Sequence, residues 1–193
     1  MQPARIETLT EQEYLEGETL GHIKHEYVDG QVFAMSGTTL AHNTIAANMI
    51  VMLHGHLRGR PCRAFIADVK VRIATQLTYY YPDVVVTCDP RDLTAVTRHF
   101  VEHPVLIIEV LSLSTKQIDR REKLTAYRRL PSLVEYVLVD QKRRAVDVYR
   151  KVGETWTHGV VTDGEVLELA SVGWSGPVAD LYEDSGLGGP RLR

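Results

Sequence analysis

The stretch VLIIEVL, residues 105–111, decides the fold, because every side chain in it is apolar except that of Glu109. A strand that is apolar on both faces is typical of the centre of a sheet covered on both sides. A carboxylate buried in such a strand costs several kcal/mol unless a cation or hydrogen-bond donors meet it. Glu109 is therefore either a functional residue or a strand-end glutamate that reaches solvent or a buried arginine.

The residues before this strand alternate between helical and extended patterns. They predict a helix over 10–20 with a capping box at Thr10 and Glu13, a hairpin over 25–34 with its turn at Asp29 and Gly30, a helix over 40–57, and strands over 63–73 and 82–86. The strand over 63–73 has a period of two. Its polar face carries Asp68 and Lys70, which either line a cleft or face water.

The residues after the central strand predict a helix, a strand and a meander. The helix opens with the capping-box pair Ser114 and Gln117 and ends before Pro131, a strand covers 134–139, and antiparallel strands cover 145–150, 155–161 and 165–169 with a turn at Asp163 and Gly164.

The order of these elements predicts one α/β domain over residues 1–193. We expect an αβββαβ core, in which helices flank a mixed central sheet, with an N-terminal β-hairpin and a C-terminal antiparallel meander. Residues 1–9 and 185–193 are expected to be peripheral tails.

The charge of the chain is unevenly spread. No apolar run approaches the roughly 18 residues that span a membrane, and residues 1–10 lack the features of a signal peptide. The net charge is −3, yet residues 116–151 hold eleven Lys/Arg and five Asp/Glu, so this segment is +6 and the remainder −9. The segment is either a phosphate-contacting surface or a solvated helix face followed by a basic turn.

The two cysteines, Cys62 and Cys88, have neither a C-x-x-C spacing nor a Cys/His pattern. Such cysteines indicate reduced thiols, so we expect no disulfide and a cytoplasmic protein.

Asp83 opens the strand before the central one and is the natural companion of Glu109. Carboxylates at corresponding points of adjacent strands can converge on one hard divalent cation, and the carbonyl of Val110 could add a ligand. An Asp that merely starts a strand is equally common.

Lys123 lies on the helix that follows the central strand. It shares one helical face with Asp119 and Tyr127 at i, i+4 spacing, so its ammonium could reach the carboxylates. A helical lysine is more often solvated.

Six short motifs, in order, resemble a known family. They are HEYVDG (25–30), AHN (41–43), YPDV (81–84), IIEVLS (107–112), REKL with YR (121–128) and PSLxEY (131–136). Together they are similar to the Uma2 family, also called DUF820, over residues 8–183. That family is assigned to the restriction-endonuclease-like, PD-(D/E)xK nuclease fold.

The resemblance changes the expected site. The standard nuclease signature would place a lysine where Leu111 stands, whereas the resemblance implies a lysine on the following helix, which Lys123 matches. The resemblance also implies that Glu26 is an additional acidic site residue, although it could equally be an exposed hairpin glutamate. His42 lies in a family motif, but a histidine near a helix start is more often a cap or a packing residue.

The resemblance implies a DNA endonuclease that depends on Mg²⁺ or Mn²⁺. Asp83 and Glu109 would hold the metal, Lys123 would assist the attacking water, and we expect Arg120, Arg128 and Arg129 to contact flanking phosphates. A homodimer is implied, and neither an organic cofactor nor a membrane is expected. The alternatives are a catalytically silent nucleic-acid-binding or protein-interaction module, and a hydrolase of RNA or another phosphodiester.

Overall fold

Residues 8–95, 97–112 and 116–187 are described by the structure, a computed structural model. Its helices are α1 (Glu11–Leu20), α2 (Leu40–Leu57), α3 (Pro90–Leu93), α4 (Lys116–Ile118), α5 (Leu124–Tyr127) and α6 (Val178–Leu181), with a 3₁₀ turn at Ala74–Gln76 and a π-helical turn at Asp119–Lys123 that joins α4 to α5. Its strands are β1 (His25–Val28), β2 (Gln31–Ala34), β3 (Arg63–Ile66), β4 (Lys70–Ile73), β5 (Thr78–Tyr80), β6 (Val84–Thr87), β7 (Phe100–Val101), β8 (Pro104–Leu111), β9 (Glu135–Asp140), β10 (Ala145–Val152), β11 (Thr155–Thr162), β12 (Val166–Leu169) and β13 (Trp174–Pro177).

The central sheet contains β8, as its apolar sequence predicts. Within the described chain this sheet has the order β11-β10-β9-β8-β6-β3, and β8 pairs in parallel with β9 and antiparallel with β6. On one face α2 packs Ile45, Met49 and Leu53 against the sheet. On the other face α5 packs Leu124 and Tyr127. The predicted α/β fold with a mixed sheet between helices is confirmed.

The prediction of one strand over 63–73 is wrong. The backbone leaves β3 at Ala67, whose φ of 37° lies in the left-handed region, and β4 then joins a second sheet with the order β2-β1-β5-β4-β7. An alternating pattern of apolar and polar residues shows which side chains share a face. It does not show which sheet the strand joins. The Asp68 and Lys70 pair is thereby split, because Asp68 is exposed at the break whereas Lys70 is buried.

The second sheet packs against α1 and begins with the predicted hairpin. Asp29 and Gly30 both have positive φ, as a two-residue type I′ turn requires. The capping box of Thr10 and Glu13 at the start of α1 is also confirmed. Tyr27 is buried between this sheet and α1.

The predicted three-stranded meander is correct only for its first two strands. β10 and β11 form an antiparallel pair, but β12 pairs with β13 in a separate two-stranded sheet of the described residues. Leu167 and Leu169 explain the departure, because both are buried in the core on the α2 side of the central sheet. Hydrophobic burial outweighs the continuation of the ladder.

The described part of each expected tail is anchored to the rest of the chain. The carbonyl of Leu9 accepts from the Tyr27 hydroxyl at 2.8 Å, Ser185 is buried, and the Leu187 carbonyl accepts from Arg144. Residues 1–7 and 188–193, and Ser114 of the predicted helix start, lie outside the described residues. No helix in the described ranges is long and apolar enough to cross a membrane.

Cys62 and Cys88 form a disulfide, which corrects the expectation of reduced thiols. Arg63 pairs with Thr87 across β3 and β6, so the two cysteines are the next residues opposite each other on adjacent chains. The distance in sequence hides this pairing, which depends on strand register.

Reduction of this disulfide is expected to lower the free energy of unfolding by about 3 kcal/mol, because the bond closes a loop across 26 positions and so restricts the unfolded chain. Urea unfolding with and without dithiothreitol measures the difference. The Cys62→Ala/Cys88→Ala variant is the control, since its midpoint should not respond to dithiothreitol. Equal midpoints for the oxidised and reduced wild type would contradict the expectation.

Candidate active site

Asp83 and Glu109 lie on neighbouring chain segments of the central sheet. Val84 is the register partner of Ile108 in the antiparallel β6–β8 pair, so Asp83, one residue before β6, faces Glu109. Residues directly opposite in an antiparallel pair place their side chains on the same face. This is the face that the helical segment of α4, the π turn and α5 covers.

Asp83 is held by the backbone of β8. Its Oδ2 accepts from the Val110 N–H at 2.7 Å and lies 3.3 Å from Nε2 of His42. His42 is in the first turn of α2, whose N-cap is Thr39, so the histidine is not the cap. The structure therefore brings His42 to Asp83, which the sequence left undecided.

Lys123 meets three carboxylates in the interior of the protein. Its Nζ lies 2.8 Å from Glu26, 3.1 Å from Glu109 and 3.4 Å from Asp119. The side chains of Lys123, Glu109 and Asp119 are all nearly fully buried, whereas that of Glu26 is 17 % exposed. Side chains from β1 of the hairpin, from β8 and from the π turn thus converge on one ammonium group.

The π-helical turn gives Lys123 this position. Asp119 and Lys123 begin and end the turn, and the Tyr136 hydroxyl donates to the Asp119 carbonyl at 3.1 Å. One turn later the Tyr127 hydroxyl donates to Oε1 of Glu109 at 3.3 Å. π turns are rare and occur frequently at functional sites.

The pKa of Glu109 is raised well above its ordinary value. Burial is the largest cause, Lys123 opposes it, and the neighbouring carboxylates of Asp119, Asp83 and Glu26 raise the pKa further. Burial lowers the pKa of Lys123, but Glu109, Glu26 and Asp119 outweigh that effect and raise it well above its usual range. The site therefore holds more negative than positive charge when its carboxyl groups are ionised.

His42 contributes a further polar group to this region. Burial lowers the pKa of His42, but Asp83 and the Val110 backbone raise it by more, so the net pKa lies above the ordinary value. Its Nδ1 is buried and has no hydrogen-bond partner in the described part of the chain.

The donor set suits a hard divalent cation. Oδ1 of Asp83 and Oε2 of Glu109 have no hydrogen-bond partner among the described residues, because Oδ2 and Oε1 take the contacts. No cluster of three or more His, Cys, Asp or Glu side chains in the described ranges is arranged to hold a metal. Mg²⁺ often has one or two carboxylates and completes its shell with water and phosphate oxygens, so this sparse set fits it.

The three arginines expected to contact phosphate lie in different surroundings. Arg120 is in the π turn and forms an ion pair with Asp147 at 2.6 Å, Arg128 lies over aromatic rings of β10 and β11, and Arg129 is exposed. Lys70 lies on the α1 side of the second sheet, donates to the Tyr81 hydroxyl at 3.1 Å and does not join this cluster.

Two members of the cluster were not among the sequence-predicted site residues. Asp119 and Tyr127 were noted only as neighbours of Lys123 on one helical face. That i, i+4 spacing was the available signal, because every member of such a face meets the same part of the sheet.

The comparison with protein families decides the assignment. The model of the Uma2 family, described as "Putative restriction endonuclease", matches residues 11–179. This chain belongs to the Uma2 family. The resemblance drawn from the ordered motifs is thereby confirmed.

Relatives of this Uma2 protein occur in Synechocystis sp. The protein slr1290 is 37% identical over 175 residues, covering 90% of this chain and 91% of its own length. The protein sll1609 is 34% identical over 151 residues, covering 78% and 85%.

A solved structure has the same fold. It is the crystal structure of a "putative nuclease belonging to DUF820" from Anabaena variabilis, with a TM-score of 0.74 and 18% identity over 90% of this Uma2 chain and 97% of that chain. At this identity the likeness shows the fold alone.

Proposed function

We propose that this Uma2 protein is a metal-dependent endonuclease that hydrolyses DNA phosphodiester bonds at Asp83, Glu109 and Lys123. The observation that carries the proposal is the convergence of these residues. Asp83 faces Glu109 across neighbouring strands, and the Lys123 ammonium lies 3.1 Å from Glu109. The family's description as restriction endonucleases supports DNA as the substrate.

Asp83 and Glu109 hold the cation through their unpartnered oxygens, and the Val110 carbonyl is the third protein ligand. Carboxylate and carbonyl oxygens favour Mg²⁺ or Mn²⁺ over softer metals. When bound, such a cation supplies Lewis-acid polarisation of a phosphoryl oxygen and a lower pKa for bound water.

Lys123 and Glu26 act beside the metal ligands. The Lys123 ammonium orients the attacking water or neutralises charge that develops on the phosphate. Glu26, which is part-exposed and 2.8 Å from Lys123, keeps that ammonium in place at the mouth of the site. The homodimer that the resemblance implies stays a prediction, since cutting both strands of a duplex takes two sites.

Divalent-metal titration with a panel of DNA and RNA substrates tests the proposal. We expect cleavage of DNA that rises with Mg²⁺ or Mn²⁺, stops with EDTA and is lost in Asp83→Asn. The control is Asp68→Asn, an exposed aspartate outside the site, which should cut like the wild type.

Three outcomes would count against this function. Wild type that never cuts leaves the catalytically silent module, and Asp83→Asn that cuts as fast as the wild type removes Asp83 from the site. Faster cleavage of RNA than of DNA keeps the hydrolase and changes the substrate.

A further inference from the structure

The face of the sheet that carries Glu109 continues past the candidate active site onto β10 and β11. In the register of this sheet, Glu109 of β8 lies opposite Leu138 of β9. Leu138 lies opposite Asp147 of β10, and Asp147 lies opposite Val160 of β11. Because strands lie about 4.8 Å apart, β10 is about 10 Å and β11 about 14 Å from β8. These distances correspond to a few nucleotides along a strand.

Asp147 ties this part of the sheet to the π turn that carries Lys123. Its Oδ2 accepts from Arg120 at 2.6 Å and its Oδ1 lies 2.8 Å from Nε2 of His158. The carboxylate is buried, whereas the His158 side chain is 44 % exposed. The His158 ring stacks on Tyr149 with centroids 4.5 Å apart. The outward-facing ring of His158 is therefore held in a fixed orientation.

Aromatic and cationic side chains continue along the same face. The guanidinium of Arg128 lies 5.7 Å from the Tyr149 ring and 5.4 Å from the Trp156 ring. Trp156 is the register partner of Lys151, so the two side chains share this face. We define the stacking face as Arg128, Tyr149, Lys151, Trp156 and His158.

The guanidinium of Arg128 and the ammonium of Lys151 have no carboxylate partner in the described part of the chain. Neither Arg128 nor Lys151 forms an ion pair with any residue that the structure describes. Asp147, the acidic residue beside them, is engaged by Arg120 and His158. The positive charge is thus available to an anion. Tyr149 is stacked between Tyr136 and His158, so His158 and Trp156 are the rings of this face that a base can reach.

We propose that the stacking face binds the unpaired bases of a nucleic-acid strand whose phosphates contact Arg128 and Lys151. Aromatic rings next to cations are the features by which proteins hold single strands, because every base has a π face and every phosphate a charge. A paired duplex hides its base faces, so the stacking face prefers a single-stranded segment. That this strand leads to the candidate active site rests on the proposed function, whereas the binding itself does not.

The test measures binding in EDTA, so no metal-dependent cleavage takes place. The probe is an oligothymidylate of about 12 nucleotides with a fluorescent label, within the range of known single-strand site sizes. The chain has two tryptophans, and Trp174 is buried in the core, so quenching of the intrinsic fluorescence on titration reports on Trp156.

We expect the oligothymidylate to quench the intrinsic fluorescence of the wild type. We expect Trp156→Ala to weaken binding about 5- to 100-fold, as measured by the fluorescence anisotropy of the labelled oligonucleotide. Trp156→Phe should keep most of the affinity, because it keeps an aromatic face. Arg128→Gln and Lys151→Gln should each flatten the salt dependence by about 0.7 in the logarithmic slope. The control is Thr157→Ala, the next residue on β11, which points to the opposite face and should bind as the wild type does.

Two results would overturn the stacking face. One is unchanged affinity in both Trp156→Ala and Arg128→Gln, each shown by circular dichroism to be folded. The other is a blunt duplex of the same length bound as tightly as the single strand. If the wild type binds through Trp156 but never cuts with any metal, only the proposed nuclease activity is refuted. Cleavage that persists without Trp156-dependent binding refutes only the stacking face.

Discussion

Glu109→Gln is expected to reduce metal-dependent DNA cleavage by roughly 100-fold or more, because the loss of a metal-binding carboxylate removes several kcal/mol of transition-state stabilisation. Glutamine has the same shape, and its carbonyl oxygen can still accept from Lys123 and Tyr127. The fold is therefore retained, and the initial rate of cleavage at saturating Mg²⁺ measures the chemical role of the carboxylate alone.

The same substitution is expected to change how stability depends on pH. The folded protein raises the pKa of Glu109 well above 4.5, so between pH 4.5 and the raised pKa the folded state binds a proton that the unfolded state has released. Wild-type stability should fall as pH rises through this window, by up to about 1.4 kcal/mol per unit. Glu109→Gln lacks this loss, so the two proteins should unfold alike below pH 4.5 and diverge above it.

Glu135→Gln on β9 is the matched control. Glu135 is also fully buried in a strand, but it accepts from Arg150 at 2.7 Å and from the backbone N–H groups of Ala170 and Ser171. Its replacement should lower stability and leave cleavage by the folded fraction unchanged. Active Glu109→Gln, or a loss of activity no larger than that in Glu135→Gln, would rule out a catalytic role for Glu109.

Lys123→Met is expected to lower the free energy of unfolding by about 3–5 kcal/mol at neutral pH, because it leaves buried carboxylates without their cation. Glu109, Asp119 and Glu26 all lie within 3.4 Å of the ammonium that is removed. The loss should be greatest at high pH and should shrink as acid protonates the carboxylates. Chemical unfolding at several pH values measures it.

Two further variants separate the buried cluster from the loss of a lysine as such. Lys142→Met replaces an exposed lysine and should change stability by less than about 0.5 kcal/mol. Adding Glu26→Gln to Lys123→Met should recover part of the loss, since one uncompensated carboxylate is removed. If Lys123→Met is as stable as Lys142→Met, the ammonium is not the cation that holds this cluster together.

The sequence could locate β8 and its glutamate because burial on both faces leaves a run of apolar residues in which a charge is conspicuous. It could also place a lysine near that glutamate once the family resemblance had pointed to the following helix. The hairpin turn was predictable for a local reason, since Asp29 and Gly30 tolerate positive φ.

The structural features that the sequence did not predict depend on contacts between distant segments. The turn at Ala67 divides an alternating stretch between two sheets, and Ala67 donates to the Asp83 carbonyl, which no local pattern records. The Cys62–Cys88 disulfide follows from the register of β3 against β6. The π turn over Asp119–Lys123 also escaped prediction, because helical periodicity does not distinguish a π turn from an α-helical one.

That helical turn also makes the length of the segment between Asp119 and Lys123 a constraint on evolution. A π turn is an α-helical turn with one inserted residue, and removing that residue would rotate all earlier side chains by about 100° relative to those after it. Either the Arg120–Asp147 ion pair or the Lys123–Glu109 ion pair would then be broken. A deletion within this turn would therefore separate the candidate active site from the strands beside it. Family members that retain both contacts should share the same spacing.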